Sequence, residues 1–530
     1  MFAQTVARLA AVSKESGGAG RPRRRLSTAI AAGLLCYLAI ASCLPHLAIC
    51  SEQREQAVEK TPPAGLPDAG LSHSAESSDQ RERSIELTLV AGAPLAGSCS
   101  APGVGWCIAR RIAGNVPGGE LGFRFGEPLD VDGDGHADIA AGARFKPQHG
   151  TLQNGSAAVW SGASGALIRS WDGDLPDGLF GHWVLPVPDL GHDGLADLII
   201  SAPNARVGGL VRGVLVARSP KTGEELWKHA GSRSENFGWD LDLAGDYDGD
   251  GRSDLFVGAP STDAGRVYLL SGKDGTLLRT YAPDTDVPTF GWYVARLDDL
   301  DGDGHADLAV GACLERVSAD SFAGGAYVFS SASGKELYHW KGTGAGDGFG
   351  EIVAAIGDLD GDGHGEVVVS SPRTFDQTHT RPGEVRIYSG TTGKELRHWS
   401  GTQPGEIYGR MVIAAGDVDG DGVEDLAIGA PWHRGAAGDR AGRVELRSGK
   451  SGKVLGELFG DAADGWFGWH IRRAPDPDGL GRPTLLIGSL RHPVEGQAAV
   501  GVLDLYVLRR ESKVHAHGTM TRGARRKDIK

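Results

Sequence analysis

Long helical patterning is missing from this chain. No extended 3.6-residue apolar period runs through the 530 residues, so helices are expected to be few. No G-X-Y period accompanies the 82 Gly, which excludes a collagen-like fibre. Neither H-E-x-x-H nor G-x-S-x-G occurs, and nothing in the residues demands catalysis. No RGD-type ligand motif is present either. Positive charge is in deficit, with 54 Lys and Arg against 68 Asp and Glu. Residues 1–50 hold 6 of those basic residues and 1 of the acidic ones, so the remainder carries 48 against 67, a net of −19. A body this acidic repels phosphate, and no nucleic-acid partner is expected. Apolar content is not lacking: 40 % hydrophobic residues suffice for a core and exclude wholesale disorder.

The two ends differ from the middle. Arg21, Arg23, Arg24 and Arg25 precede an apolar run from Leu26 to Cys50. Charge followed by an apolar run reads as an export signal. A membrane anchor is the alternative, because the run nearly spans a bilayer, but Pro45 and His46 interrupt it and favour cleavage. Ile40-Ala41-Ser42-Cys43 resembles a bacterial lipobox, which would place a lipid on Cys43. The protein is therefore expected to be exported (secreted, periplasmic or at the cell surface), with any membrane attachment only through residues 1–50. Residues 51–84, rich in Glu, Gln, Ser and Pro, read as a flexible linker. Residues 85–105 are an N-terminal extension and 513–530 a basic tail. In an exported protein Cys99 and Cys107 could pair, which leaves Cys313 as a small buried hydrophobe.

Between the ends the chain repeats. The stretch Asp130-Val131-Asp132-Gly133-Asp134-Gly135-His136-Ala137-Asp138 recurs, with its first Asp at 130, 189, 246, 299, 358, 417 and 476. Nine residues before each first Asp stands an apolar-Gly pair: Leu121-Gly122, Phe180-Gly181, Phe237-Gly238, Phe290-Gly291, Phe349-Gly350, Tyr408-Gly409 and Phe467-Gly468. Twelve residues after it stands a small residue: Gly142, Ser201, Gly258, Gly311, Ser370, Gly429 or Gly488. Ala-Pro follows three of these, at Ala202-Pro203, Ala259-Pro260 and Ala430-Pro431. A turn with Gly at its fifth position comes later, as in Ser271-Gly272-Lys273-Asp274-Gly275.

Each repeat reads as four short strands, A to D, with the Asp loop between A and B and the Gly turn between C and D. Four antiparallel strands, repeated around a ring, predict an all-β, seven-bladed propeller. A linear β-solenoid is the alternative, but its repeats are usually shorter. The seventh repeat reaches strand C and then lacks its Gly turn and strand D. Residues 107–112 align with strand D and are predicted to close the last blade, which protects the sheet edges.

The Phe-Gly pair, the D-x-D-G-D-G-x-x-D loop and Gly-Ala-Pro together resemble the FG-GAP repeat of integrin α-chain N-terminal propellers. The resemblance runs over residues 106–512. It implies a seven-bladed propeller, calcium in the A–B loops, and binding work outside the cell or at its surface.

The loops themselves suit a hard cation. Ca2+ takes about 6–8 oxygen ligands. Carboxylates at positions 1, 3 and 5 converge when Gly at positions 4 and 6 permits a tight turn, and the acid at position 9 closes the shell. An EF-hand would need Glu at position 12 and flanking helices, and a strand follows here instead. Five loops are complete: Asp130, Asp132, Asp134 and Asp138; Asp246, Asp248, Asp250 and Asp254; Asp299, Asp301, Asp303 and Asp307; Asp358, Asp360, Asp362 and Glu366; and Asp417, Asp419, Asp421 and Asp425. The second loop keeps Asp189, Asp193 and Asp197 with Gly191 at position 3, and weaker binding is expected. The seventh has Asp476 and Asp478, then Leu480 and Thr484, and no metal is expected there. Six filled loops would bring the net charge of −19 to about −7.

Other residue patterns follow the repeat. His136, His305 and His364 share position 7 of the loop, which argues against catalysis by any of them. Trp171, Trp340 and Trp399 share another repeat position and read as blade packing rather than a sugar platform. The leading expectation is a calcium-stabilised binding or adhesion module and not an enzyme, with a protein or glycan ligand on one propeller face. The insertions 144–155, 314–325 and 432–442 are candidate contact loops. The alternatives are a calcium-dependent polysaccharide lyase or glycosidase on the same scaffold, and a structural envelope protein.

Overall fold

The computed structural model describes residues 105–509 except 147–153, Ser234, Thr262, 319–320 and Gln377. Residues 1–50 with Cys43, 51–84, Cys99 and 513–530, on which the expectations of an export signal, a linker and a tail fall, lie outside the described residues. The described part is a β-propeller of seven antiparallel blades. The third blade shows the unit: Asp240–Gly245, Asp254–Ala259, Arg266–Leu270 and Leu277–Tyr281 follow one another from the axis outward. Strand B is buried along its whole length, which is why it reads as an uninterrupted apolar run. Strand D is the most exposed of the four, with only Tyr281 buried. The core lies between blades: Trp183, Leu185 and Leu215 of the second blade pack on Leu241, Leu255 and Val257 of the third.

The Phe-Gly pair is the joint between blades. Phe180 donates its backbone N–H to Asn154 O (2.9 Å) in the preceding blade, and Gly181 donates to Ser201 O (3.0 Å) in its own. Phe349 and Gly350 split their bonds the same way, to Ala323 O (2.9 Å) and Ser370 O (3.0 Å). The chain must turn sharply between those two bonds, and Gly181 does so at φ +81°. Its carbonyl faces Gly142 of the preceding blade so closely that a Cβ there would stand 1.9 Å from it. Two sequence landmarks, nine residues before and twelve after the first Asp, are thus one contact seen from neighbouring blades.

The last blade closes as the repeat arithmetic predicts. Gly105–Ala113 pairs antiparallel with Val502–Arg509, with Cys107 opposite Val507 and Ile112 opposite Leu503. Cys107 is disulfide-bonded, and Cys313 is a free, buried thiol. The first blade departs from the pattern. It has three strands (Ile139–Ala143, Ser156–Trp160 and Leu167–Asp172), and its inner edge keeps only the isolated bridges Leu121 to Ala143 and Leu129 to Asp138. The reason is local: Gly126 donates its N–H to Val184 O of the next blade (2.9 Å), and Pro128 has no N–H for a ladder. The B–C connections carry short hairpins of their own, Arg206–Val207 with Leu210–Val211 and Arg316–Ser318 with Ser321–Phe322.

Candidate metal loops and the propeller axis

Each Asp loop is wound around its own carboxylates. In the first, Asp130 accepts the N–H groups of Gly133 (2.7 Å) and Gly135 (2.9 Å), Asp132 accepts that of Asp134 (3.1 Å), and Asp134 that of His136 (2.8 Å). Asp138, at position 9, is fully buried and spans two elements. One oxygen accepts Val131 N–H (2.9 Å) inside the loop, and the other accepts Gly162 N–H (2.8 Å) in the C–D turn. Asp254 joins Tyr247 to Gly272 in the same manner, and Asp425 joins Val418 to Gly449. The position-9 acid therefore clamps the Asp loop to the Gly turn.

Five loops bring three acids together with ligand oxygens within 4.8 Å of one another. They are Asp130, Asp132 and Asp138; Asp246, Asp248 and Asp250; Asp299, Asp301 and Asp303; Asp358, Asp360 and Glu366; and Asp417, Asp419 and Asp425. Asp134, Asp254, Asp307, Asp362 and Asp421 stand in the same loops but outside the tight clusters. Electrostatics separate position 1 from position 9. The Gly363 and Gly361 amides hold Asp358 below the usual carboxylate range. Burial pushes Asp138 up to about 6 against the pull of its amide partners, and the charges of Asp132 and Asp134 add to the rise. Burial, with Asp301 and Asp303 adding to it, does the same to Asp307, also to about 6. Carboxylates this close favour a proton or a cation between them.

The two irregular loops carry the chain's own cations. In the seventh, Arg482 Nε and Nη2 grip Asp476 at 2.8 and 2.6 Å, and Nη2 also binds Asp478. Burial alone would raise Asp476, but the bonded guanidinium outweighs it and holds the carboxyl at about 2. Position 9 is Thr484, whose hydroxyl turns back to Arg482 O (3.0 Å). In the second loop Asp189 and Asp193 keep the amide bonds of the pattern, and Asp197 is buried, but the three form no tight cluster among the described residues. Lys221 Nζ stands 3.8 Å from Asp193 there. The Arg482 guanidinium thus grips the first Asp of its loop, whereas Arg252 in the third loop reaches only Asp250 (3.4 Å).

Comparison with known proteins agrees with this geometry. The FG-GAP repeat model matches residues 237–270 and 290–329, and the FG-GAP-like repeat model matches 358–428. The chain carries FG-GAP repeats. It is 27 % identical to integrin alpha-5 of Xenopus laevis over 266 residues, which is 48 % of this chain and 24 % of that protein. It is 32 % identical to human integrin alpha-7 over 155 residues, 27 % of this chain and 12 % of the relative. To integrin alpha-V of Gallus gallus the figures are 27 % over 216 residues, 35 % of this chain and 19 % of the relative. The chain thus spans a quarter or less of the length of these relatives.

The FG-GAP frame also builds an axial structure that the sequence reading did not foresee. The residues directly after the Phe-Gly pairs meet around the axis. Phe123 packs on His182 (4.8 Å between ring centres), His182 on Trp239 (4.8 Å), and Trp239 on Trp292 (4.9 Å). On the far side Arg410 lies over Trp469 (4.1 Å) and 3.9 Å from Glu351, and Trp469 returns to Phe123 (5.9 Å). Burial, with Arg144 and Arg124 nearby, keeps His182 neutral. One residue further along, Arg124 crosses to pair with Asp240, which also accepts Trp183 Nε1 (2.7 Å) and the Val294 N–H (2.8 Å). These two layers close the axis on the Phe-Gly side. Below them lies a cavity of 490 Å3 bounded toward the Asp loops by Leu129, Pro188 and Asp298. The signal available in the sequence was charge shortly after the Phe-Gly pairs, at Arg124, Asp240, Asp242 and Arg472.

The tryptophans of strand D serve as latches. Trp171 and Trp340 donate through Nε1 to Gly223 O (3.2 Å) and Gly393 O (2.9 Å) of the next blade's turn, and Trp227 does the same to Gly272 O (2.9 Å). Trp399 instead lies under Arg447.

Proposed function

We propose that this protein is an exported, calcium-binding FG-GAP propeller that binds a protein or glycan partner on one face and is not an enzyme. The observation that carries the calcium reading is the contrast between loops. Five present three converging acids, while the seventh, with its pattern broken, has Arg482 gripping its first Asp. All-oxygen carboxylate and backbone donors suit Ca2+ better than Mg2+, which keeps more of its water. The acids proposed to hold it are those of the five complete loops, with Asp189, Asp193 and Asp197 as a weaker sixth set.

Strand direction divides the labour between faces. Asp loops and C–D turns share one face, and the B–C insertions and Phe-Gly joints share the other. The described parts of the insertions near 144–155, 314–325 and 432–442 thus stand away from the metal loops, where a partner can be met without disturbing them. Similarity to integrin α chains supports surface binding work. The axial carboxylates do not favour the glycosidase reading: Asp240 is tied to Arg124, and Asp242 accepts the amides of Arg296 and Leu243. The test is a glycan and protein array probed with the full chain in calcium and in EDTA, with released sugar assayed in parallel. Calcium-dependent retention without release is expected. Sugar release would overturn the binding reading, and a melting curve unchanged by EDTA would overturn the calcium reading.

A further inference from the structure

One cation of the axial cavity, Arg472, has no carboxylate in ion-pair contact among the described residues. Arg472 follows the seventh blade's Phe-Gly pair on strand Phe467–Arg473 and lines the cavity. Its guanidinium lies over the Trp183 ring (5.5 Å) and hydrogen-bonds the Tyr293 side chain, and Nη1 donates to its neighbour's carbonyl, Ile471 O (3.3 Å). No ion pair joins it to a described carboxylate. Asp242 stands at the same depth, but its oxygens accept the Arg296 and Leu243 N–H groups (2.9 Å each), and it reaches Arg472 only through its field. Arg473 next door is engaged by Glu424 (3.1 Å). Arg296, Asp298 and Glu127 are exposed residues at the mouth.

The rest of the wall is apolar, from Leu185, Ala295, Met411 and Ile413. A guanidinium is always charged and offers a planar fork of donors. Held against the Trp183 indole and the Tyr293 side chain, it has no carboxylate within ion-pair distance among the described residues. A volume of 490 Å3 lies within the range of small-molecule sites. We propose that the axial cavity binds a small carboxylate-bearing molecule with an apolar body, its carboxylate on Arg472 and its body between Trp183, Tyr293 and Met411. This site is separate from the metal loops and from the partner face, and it does not depend on either.

The probes are 3-phenylpropionate, 3-phenylpropan-1-ol and 3-phenylpropylamine, titrated into the full chain by calorimetry and by saturation-transfer NMR. Saturable binding of the acid is expected, with the alcohol and the amine weaker by about tenfold or more. Arg472→Gln is expected to abolish that preference, and Arg472→Lys to retain part of it. Ala354→Phe, which fills the cavity and leaves every charge in place, should block all three probes. Equal binding of acid and alcohol would overturn the carboxylate assignment. Absence of binding by every probe to the wild-type chain would overturn the site, and neither result depends on a variant that must fold.

Discussion

Arg482→Gln isolates the seventh loop, in which a guanidinium of the chain grips the first Asp. The substitution removes a two-pronged contact to Asp476, at 2.8 and 2.6 Å, and a third to Asp478. Asp476 stays in place, because its side chain is 2 % exposed and the N–H groups of Asp478, Leu480 and Arg482 still point at it. Holding that carboxyl at about 2 rather than 3.8 corresponds to about 2 kcal/mol, at about 1.4 kcal/mol for each factor of ten. In a body of this size that lowers the melting temperature by roughly 2–3 °C. The sign with pH follows from the depressed carboxyl. Its contribution is complete above 3.8 and is lost as pH falls toward about 2. The gap between wild type and variant should therefore be constant from neutral pH down to mild acid and shrink below it. Calorimetric melting in EDTA, repeated across pH, reads all of this. A variant that melts with the wild type at neutral pH would refute the stabilising role of that grip. So would a gap that calcium abolishes, because the seventh loop is expected to hold no metal.

Three further outcomes are expected. In calcium-free protein Asp138 and Asp307, raised to about 6, lend stability while protonated and lose it as pH rises through about 6, whereas calcium favours their ionised forms. Calcium titrated below that pH should release protons, and calorimetric heats that do not vary with buffer would refute this. Asp240→Ala leaves Arg124, 4 % exposed, without its partner and strands Trp183 Nε1 and the Val294 N–H. The expected loss is about 3–5 kcal/mol in denaturant unfolding, and a loss below about 1 kcal/mol would show that the axial layer is not structural. Deleting the chain through Ala113 bares the edge of Val502–Arg509, and the product should associate on size exclusion. A monodisperse product that melts like the parent would refute ring closure by this strand.

Much of the fold was legible because each repeat states its geometry locally. Positive-φ Gly at positions 4 and 6, acids at alternate positions and an apolar run after them define a hairpin within a dozen residues. The register of seven such units left few architectures open, and the missing strand D at the end pointed to residues 107–112. The first blade's reduced inner strand was less visible, although Gly126 and Pro128 are plain in the chain, because the bond that replaces the ladder goes to Val184 in another blade.

The sequence by itself determined the period, the blade, the closure and the acids of each loop, since these rest on contacts within one repeat or between consecutive ones. Tertiary structure alone decided what happens at the axis and in the irregular loops. Arg124 meets Asp240 across 116 positions, and Trp183 meets Arg472 from the second and seventh blades. Arg482 looks like an interruption of its motif until the folded loop turns it back onto Asp476. Strand pairing fixes neighbours by spacing that can be counted, whereas the centre of a ring gathers residues whose only common property is distance from the axis.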